Sequence, residues 1–236
     1  MSLLAALGRR LGLALLPARC LVCSEVGHLG QDLCEACRGA LPFNRLACGR
    51  CALPLPAAGT CGACLRAPPP FAASRAALVY RFPVDRLLPR FKFHGDLAAG
   101  RLLSQLMAEA FADASRPKAL VPVPLHPSRL RQRGYDQALE LSRPLARALA
   151  LPLRADALRR VRATSAQSEL DAATRRHNVR SAFAASAGQL PDHVALVDDV
   201  MTTGATLAEC ARALHRAGVA RVDAWVTARA PSPHEP

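Results

Sequence analysis

Four Cys-x-x-Cys pairs in the first third of the chain constrain its fold more than any other feature of the sequence. Each such turn brings two thiolates to one metal ion, and two turns complete the tetrahedral site of a structural zinc ion. We therefore predict a double zinc ribbon over residues 18–66 with two Zn²⁺ ions, paired either sequentially or with the first turn joined to the third. The predicted ligands are Cys20, Cys23, Cys34, Cys37, Cys48, Cys51, Cys61 and Cys64.

Cys-x-x-Cys pairs also occur in disulfide frameworks, redox dithiols and iron–sulfur sites. A disulfide framework fits an exported protein. Here Arg9 and Arg10 interrupt the apolar start of the chain, and Arg19 directly precedes Cys20, unlike a secretory signal. Four copies at nearly regular spacing disfavour a single redox dithiol. Zinc is therefore the favoured metal, and iron–sulfur ligation stays open.

The first 17 residues place Leu4, Leu7, Leu11 and Leu15 at helical spacing, which predicts an amphipathic helix over residues 1–17. No apolar stretch of the sequence approaches the roughly 20 residues needed to span a bilayer. We therefore expect a cytoplasmic protein with no membrane span.

Beyond the cysteines, apolar strand patterns alternate with helical ones. Residues 67–71 are rich in proline and predict a stiff linker, residues 72–229 a second domain, and residues 230–236 a disordered tail. The alternation predicts an α/β fold with a mostly parallel sheet covered by helices on both faces. The predicted strands are 76–80, 119–123, 193–197 and 219–227, and the predicted helices are 84–93, 97–114, 137–150 and 206–217.

The predicted strand at 193–197 runs directly into Asp198 and Asp199, followed by a Thr-Thr-Gly-Ala-Thr turn at 202–206 and a helix. Carboxylates at the carboxyl end of a parallel strand lie where ligands of open α/β sheets bind. Two adjacent acids can accept hydrogen bonds from a vicinal diol such as the ribose hydroxyls. The turn presents backbone N–H groups at a helix N-terminus, which suits a phosphate. Together these elements predict a site for a phosphorylated ribose.

Two other kinds of site also place aspartates after a strand. Receiver domains do so without needing a Thr-Thr-Gly turn, and P-loop proteins require a GxxxxGK[ST] run that this chain lacks. Thr206 alone would fit a simple helix cap.

The positive charge of the chain indicates an anionic partner. Lys and Arg number 31 against 18 Asp and Glu, a formal net charge of +13. Nucleic acid and a multiply phosphorylated small molecule both fit this charge. Aromatic residues make up only 4% of the chain, few for stacking on single-stranded DNA.

The run VDDVMTTGAT at 197–206 resembles the phosphoribosyl pyrophosphate signature of type I phosphoribosyltransferases. The N-terminal Cys-x-x-Cys turns, FKFHGD at 91–96, VPVPLH at 121–126 and RQRGYDQ at 131–137 narrow the resemblance to the ComF family. RATSAQ at 162–167, Arg175 and NVRSAF at 178–183 add to it. The resemblance extends roughly from Cys20 to Thr227.

The resemblance implies roles for individual residues. Asp198 and Asp199 would hold the ribose hydroxyls, directly or with Mg²⁺ nearby. The 5′-phosphate would lie against Thr202, Thr203, Gly204, Ala205 and Thr206. The pyrophosphate loop would comprise Val123, Pro124 and Leu125, with Arg131 and Arg133 as cations. Residues 159–178 would form a flexible loop with Thr164, Gln167 and Arg175 facing the ligand.

The resemblance also implies binding of phosphoribosyl pyrophosphate with Mg²⁺, and a role in DNA uptake, natural transformation or nucleotide salvage. The sequence leaves open whether pentosyl transfer occurs and to which acceptor. The alternatives are a single-stranded-DNA-binding protein that senses the ligand without turnover, and a scaffold that docks a competence helicase or channel protein. The oligomeric state is also open.

Overall fold

The computed structural model describes residues 18–28, 31–162, 181–186 and 188–231 of the chain. The amphipathic helix predicted for residues 1–17 lies outside the described residues, as does most of the predicted tail. None of the helices in these ranges has the length and apolar character needed to cross a bilayer. In chain order the elements are α1 (Glu35–Gly39), α2 (Gly62–Arg66), β1 (Ala73–Val79), α3 (Val84–His94), α4 (Leu97–Ala110), β2 (Ala119–Pro122), α5 (Pro127–Arg133), α6 (Gln137–Leu149), β3 (Leu158–Arg160), β4 (Phe183–Ala185), β5 (His193–Met201), α7 (Ala205–Arg216) and β6 (Arg221–Arg229).

The central sheet contains four parallel strands in the spatial order β1-β6-β5-β2. Alternate side chains of β5 point to opposite faces of the sheet. Val194 and Leu196 belong to the core on the side of α7, whereas Ala195 and Val197 belong to the core beneath α4 and α6. Helices therefore cover both faces, which confirms the predicted fold class.

Strand β5 continues to Met201, beyond the predicted end at 197, so that Asp198 and Asp199 lie on the strand rather than after it. A short antiparallel pair, β3 with β4, was not predicted because three-residue strands are too short for an alternating pattern to be visible. This pair contacts α7. Arg159 and Arg160, predicted to begin the flexible loop at 159–178, lie on β3 instead. Residues 163–178 of that predicted loop lie outside the described residues.

Helix α3 packs closely on α4 because Gly100 of α4 has no side chain. A Cβ at Gly100 would lie 2.4 Å from Cε2 of Phe91, so any larger residue would force the two helices apart. Phe91 itself is fully buried. The close packing fixes the position of α3, including Lys92, against the domain.

The eight paired cysteines form two clusters in sequential order. In each cluster, four Sγ atoms lie within 4.8 Å of one another: Cys20, Cys23, Cys34 and Cys37 in the first, and Cys48, Cys51, Cys61 and Cys64 in the second. The Sγ atoms of Cys51 and Cys61 are 3.6 Å apart, close to the ~3.8 Å edge of a tetrahedron with Zn–S bonds of about 2.3 Å. Both clusters therefore fit structural zinc, and the interleaved pairing is wrong.

The zinc-ribbon segment covers the free edge of the sheet at β1. Phe43 pairs with Leu78 in an antiparallel bridge, and the backbone N–H of Val79 donates to the carbonyl of Pro42 over 2.8 Å. Covering an edge strand in this way removes unpaired backbone groups that would otherwise recruit other chains. The end of the predicted linker at 67–71 is also packed, because Phe71 is 2% exposed and belongs to the core near α7. Ala67 and Pro68 are exposed. The ribbons and the α/β domain therefore share one packed structure.

The two clusters predict a defined zinc content. Cys48→Ser should reduce bound zinc from two equivalents per chain to one, because a structural site needs all four thiolates. Cys210→Ser is the matched control, since Cys210 is buried in α7 outside both clusters. Elemental analysis of the purified proteins measures the difference, and two equivalents in Cys48→Ser would contradict the assignment.

Candidate functional site

A cavity of about 400 Å³ lies at the carboxyl ends of β2 and β5, within the volume range of small-molecule sites. The in-register pairing of Pro122 with Val197 brings the segments that follow these two strands together. The cavity is lined by residues from β5 and the turn after it, from the segment after β2, and from α3, α5 and β3. Four cations and two acids are among the lining residues: Lys92, Arg129, Arg133, Arg160, Asp198 and Asp199.

Asp199 forms an ion pair with Lys92. Lys92 Nζ lies 2.7 Å from Asp199 Oδ2, and the Asp199 side chain is only 8% exposed. Asp198 Oδ1 accepts a hydrogen bond from the backbone N–H of Asp199 over 2.9 Å. Sequence reasoning left the role of Lys92 undecided, although it is one of only two lysines in the chain.

The two adjacent aspartates differ in their pKa values. Burial raises the pKa of Asp198 well above its usual range, and the negative charge of Asp199 raises it further. Burial also acts to raise the pKa of Asp199, but the charge and hydrogen bond of Lys92 outweigh it and hold this pKa below its ordinary value. The two carboxyls at the end of β5 therefore differ in how readily they ionise.

The turn after β5 places the predicted phosphate-binding residues, Thr202, Thr203, Gly204, Ala205 and Thr206, along the cavity. Gly204 has a φ of +74° and caps the first turn of α7, a backbone conformation that glycine adopts without strain. The Oγ1 of Thr203 accepts a hydrogen bond from the N–H of Ala205 over 3.3 Å. The turn therefore leads into the N-terminus of a 12-residue helix, whose dipole favours an anion.

The predicted pyrophosphate loop, Val123, Pro124 and Leu125, also lines the cavity. The N–H of Leu125 donates to Asp136 Oδ2 over 2.8 Å. Asp136 caps α6 through a 3.1 Å bond from the N–H of Leu139 to its other oxygen. The N–H of Val123 donates to the carbonyl of Val197 over 2.9 Å, and Pro124 has no N–H. The loop is therefore fixed, and both of its N–H groups are engaged.

The structure separates the two arginines predicted from α5. Arg133 lines the cavity, with its guanidinium 5.3 Å from the ring centroid of Phe93. Arg131 is exposed and does not line the cavity, whereas Arg129 does line it. Residues 129 and 133 are four apart and share one helix face, whereas residue 131 lies on another.

Arg160 on β3 is a lining residue that sequence reasoning missed. It is 8% exposed, and its guanidinium lies 5.2 Å from the ring centroid of Phe183 on β4. No sequence signal marked it, because only the β3–β4 pairing places it beside the cavity. The predicted flexible-loop residues Thr164, Gln167 and Arg175 lie outside the described residues.

The fold and the site together define a phosphoribosyltransferase-type domain joined to a double zinc ribbon. Two family models match the chain: the double zinc ribbon domain at residues 12–65 and the phosphoribosyl transferase domain at residues 136–236.

Three relatives represent the similarity. The chain is 37% identical to competence protein F of Haemophilus influenzae and 34% identical to the DNA utilization protein YhgH of Escherichia coli K12, each over 90% of this chain and 97% of the relative. It is 27% identical to competence protein ComFC of Bacillus subtilis over 80% of both chains. The similarity therefore includes the ribbons as well as the α/β domain. The chain belongs to the ComF family.

Substituting asparagine for each aspartate should change the free energy of unfolding of the ligand-free protein in opposite directions. Asp199→Asn should lower the free energy of unfolding by about 1–3 kcal/mol at pH 7, because Lys92 would lose its buried carboxylate. Asp198→Asn should raise it, because the variant removes a carboxyl whose ionisation the fold opposes. Urea unfolding between about pH 2 and about pH 8 measures both effects, because the ordinary pKa of a carboxyl lies inside that range.

The pH dependence has a definite sign for each residue. Because the pKa of Asp198 is raised in the folded protein, its carboxyl contributes stability at low pH, and this contribution is lost as pH rises above about 4. The stability advantage of Asp198→Asn over wild type should therefore grow with pH. The lowered pKa of Asp199 stabilises the fold above about pH 4, so the deficit of Asp199→Asn should shrink as pH falls. Shifts in the same direction at pH 7 would contradict the assignment.

Proposed function

We propose that the cavity binds phosphoribosyl pyrophosphate or a closely related phosphorylated ribose. The observation that carries this proposal is that the paired aspartates of β5 and the Thr-Gly turn before α7 line one cavity together with four cations. A sugar diol and a phosphate on the same molecule match these two elements. The excess of cations over acids matches a ligand with several negative charges.

Different residues along the cavity bind different parts of the ligand. The ribose hydroxyls hydrogen-bond to Asp198 and Asp199, and the 5′-phosphate accepts hydrogen bonds from the turn at 202–206. The pyrophosphate lies toward residues 123–125 and the arginines. Planar guanidiniums suit this position because they donate two parallel hydrogen bonds to one phosphate.

Magnesium would be held mainly through the ligand. Mg²⁺ in proteins is bound by one or two carboxylates together with substrate phosphates. The ion pair with Lys92 engages Asp199 Oδ2, which leaves Asp198 as the carboxylate suited to the ion. The metal would neutralise charge on the pyrophosphate, and Asp198 would contribute one oxygen when ionised.

If turnover occurs, the reaction is substitution at ribose C1. An acceptor nucleophile forms a bond to C1 while the C1–O bond to pyrophosphate breaks, and the leaving group takes the bonding electrons. Arg129, Arg133 and Arg160 are the lining groups that would stabilise this developing charge.

A role in DNA uptake, natural transformation or nucleotide salvage is the biological setting we propose. Two relatives carry competence in their names and a third carries DNA utilization. The net charge of +13 adds support for a nucleic-acid partner. In this setting the ligand is either a substrate or a metabolite signal for a DNA-handling protein.

Calorimetric titration with phosphoribosyl pyrophosphate and Mg²⁺ tests the proposed site. Wild-type protein should bind the ligand, and Asp198→Asn should bind it about 10- to 100-fold more weakly, because a charged hydrogen-bond acceptor to the diol is lost. Asp192→Asn is the matched control, since this exposed aspartate pairs with Lys118. Equal affinities in all three proteins would sink the site assignment.

The same preparations distinguish the DNA-related candidate. Binding of single-stranded DNA through phosphate contacts should weaken steeply with salt. Salt-dependent DNA binding without binding of phosphoribosyl pyrophosphate would favour the DNA-binding alternative over the proposed ligand.

Two neighbouring arginines test the pyrophosphate contacts. Arg160→Gln should weaken binding of phosphoribosyl pyrophosphate about tenfold, because a guanidinium contact to phosphate is lost. Arg159→Gln should bind like wild type, since Arg159 is exposed and is not among the lining residues. Both variants should bind ribose 5-phosphate almost equally, because it carries no pyrophosphate. Equal losses in the two variants with the full ligand would rule out a specific contact.

A further inference from the structure

Arg229 at the end of β6 connects the second zinc cluster to the start of the proposed phosphate turn. Its Nε donates to the carbonyl of Cys51 over 2.9 Å. Its Nη1 lies 3.1 Å from the carbonyl of Met201 and 2.6 Å from that of Thr202. One guanidinium therefore joins a zinc-ligand residue to the two residues that lead into the turn.

The second ribbon has further contacts at the same end of the domain. The N–H of Ser74 on β1 donates to the carbonyl of Gly49 over 3.0 Å, and Arg50 Nη1 donates to the carbonyl of Ala72 over 2.9 Å. The buried Phe71 lies beneath the turn, because a Cβ at Gly204 would be 3.8 Å from its Cζ. The turn therefore has the ligand cavity on one side and the second ribbon on the other.

The first ribbon is attached to different elements. The carbonyl of Leu21 accepts a 2.7 Å hydrogen bond from Arg90 of α3, and Asp32 pairs with Arg101 of α4 over 2.6 Å. In the described ranges, the side-chain bridge between a zinc-ligand residue and the phosphate turn is made by Arg229 of β6, and it reaches the second ribbon. The two zinc ions therefore have different structural roles.

We infer that Arg229 is a positioning residue through which zinc at the second cluster and the phosphorylated ribose stabilise each other's binding. Zinc fixes the backbone of the 48–51 turn, Arg229 transmits that position to the carbonyls of Met201 and Thr202, and the turn then presents its N–H groups in the binding arrangement. Linkage makes the effect reciprocal, so the ligand must also stabilise this zinc ion. The inference rests on the proposed function, because it assigns the turn to phosphate.

Equilibrium competition for zinc with a chromogenic chelator tests the link in the folded protein. With phosphoribosyl pyrophosphate and Mg²⁺ present, removal of one of the two zinc equivalents from wild-type protein should require about tenfold more free chelator, and removal of the other an unchanged amount. In Arg229→Ala this protection should disappear, and titration should show about tenfold weaker ligand binding with two zinc ions still bound. Protection of both ions equally, or of neither while the ligand binds, would overturn the inference.

Arg221→Ala is the matched control. Arg221 lies at the opposite end of β6, where it pairs with Asp223, so its removal should change neither zinc protection nor ligand affinity. Arg229→Lys adds a second comparison, because a lysine keeps the charge but lacks the planar fork that reaches carbonyls on both sides. It should behave like Arg229→Ala, and wild-type behaviour in Arg229→Lys would show that charge alone suffices.

A ligand-free arm separates failure of the link from failure of the proposed function. Without any ligand, Arg229→Ala should release one zinc equivalent at a lower chelator concentration than Arg221→Ala, because the Cys51 carbonyl has lost its donor. If that difference is seen but wild-type protein does not bind phosphoribosyl pyrophosphate, the proposed function fails and the contact between ribbon and turn stands. If wild-type protein binds the ligand and the two variants release zinc alike, the link fails and the proposed function stands.

Discussion

Two carboxyl groups placed side by side at the end of a buried strand repel each other, and the ion pair between Lys92 and Asp199 offsets that repulsion. The pair depends on α3, because Lys92 reaches the strand only when this helix is held close to the domain. Gly100 allows that close packing, and Arg90 attaches α3 to the first ribbon through the carbonyl of Leu21. The electrostatics of the cavity are therefore a property of both parts of the chain.

The parallel sheet explains why residues distant in sequence meet at one cavity. β2 and β5 are neighbours and point in the same direction, so the segments that follow them, at 123–125 and 198–206, open on the same edge of the sheet. The ribbons cover the β1 side and support the same edge from outside. The first acts on α3 and α4, and the second acts on the end of β6.

Sequence patterns were most informative where function depends on local geometry. The two aspartates lie at the end of one strand and the turn follows that strand directly, so their proximity could be predicted from spacing alone. Lys92 and Arg160 reach the cavity from distant elements, and tertiary packing alone brings them there. Arg131 was chosen as a ligand contact without a predicted helix at 127–133. The helical period places residues 129 and 133 on one face, so predicting that helix would have pointed to Arg129 instead. The zinc pairing needed the structure because both wirings satisfy the same spacing.

The arrangement of the cavity favours an anionic ligand before that ligand arrives. Lys92 already balances Asp199, and burial raises the pKa of Asp198 well above its usual range. The four lining cations outnumber the two lining acids. The electrostatic contribution to binding is therefore small for a neutral nucleoside and large for a diphosphate. Rings beside two of the arginines, Phe93 by Arg133 and Phe183 by Arg160, hold their guanidiniums in defined positions. Binding then requires little reorganisation of these groups, and the energy that would have ordered them remains available for affinity.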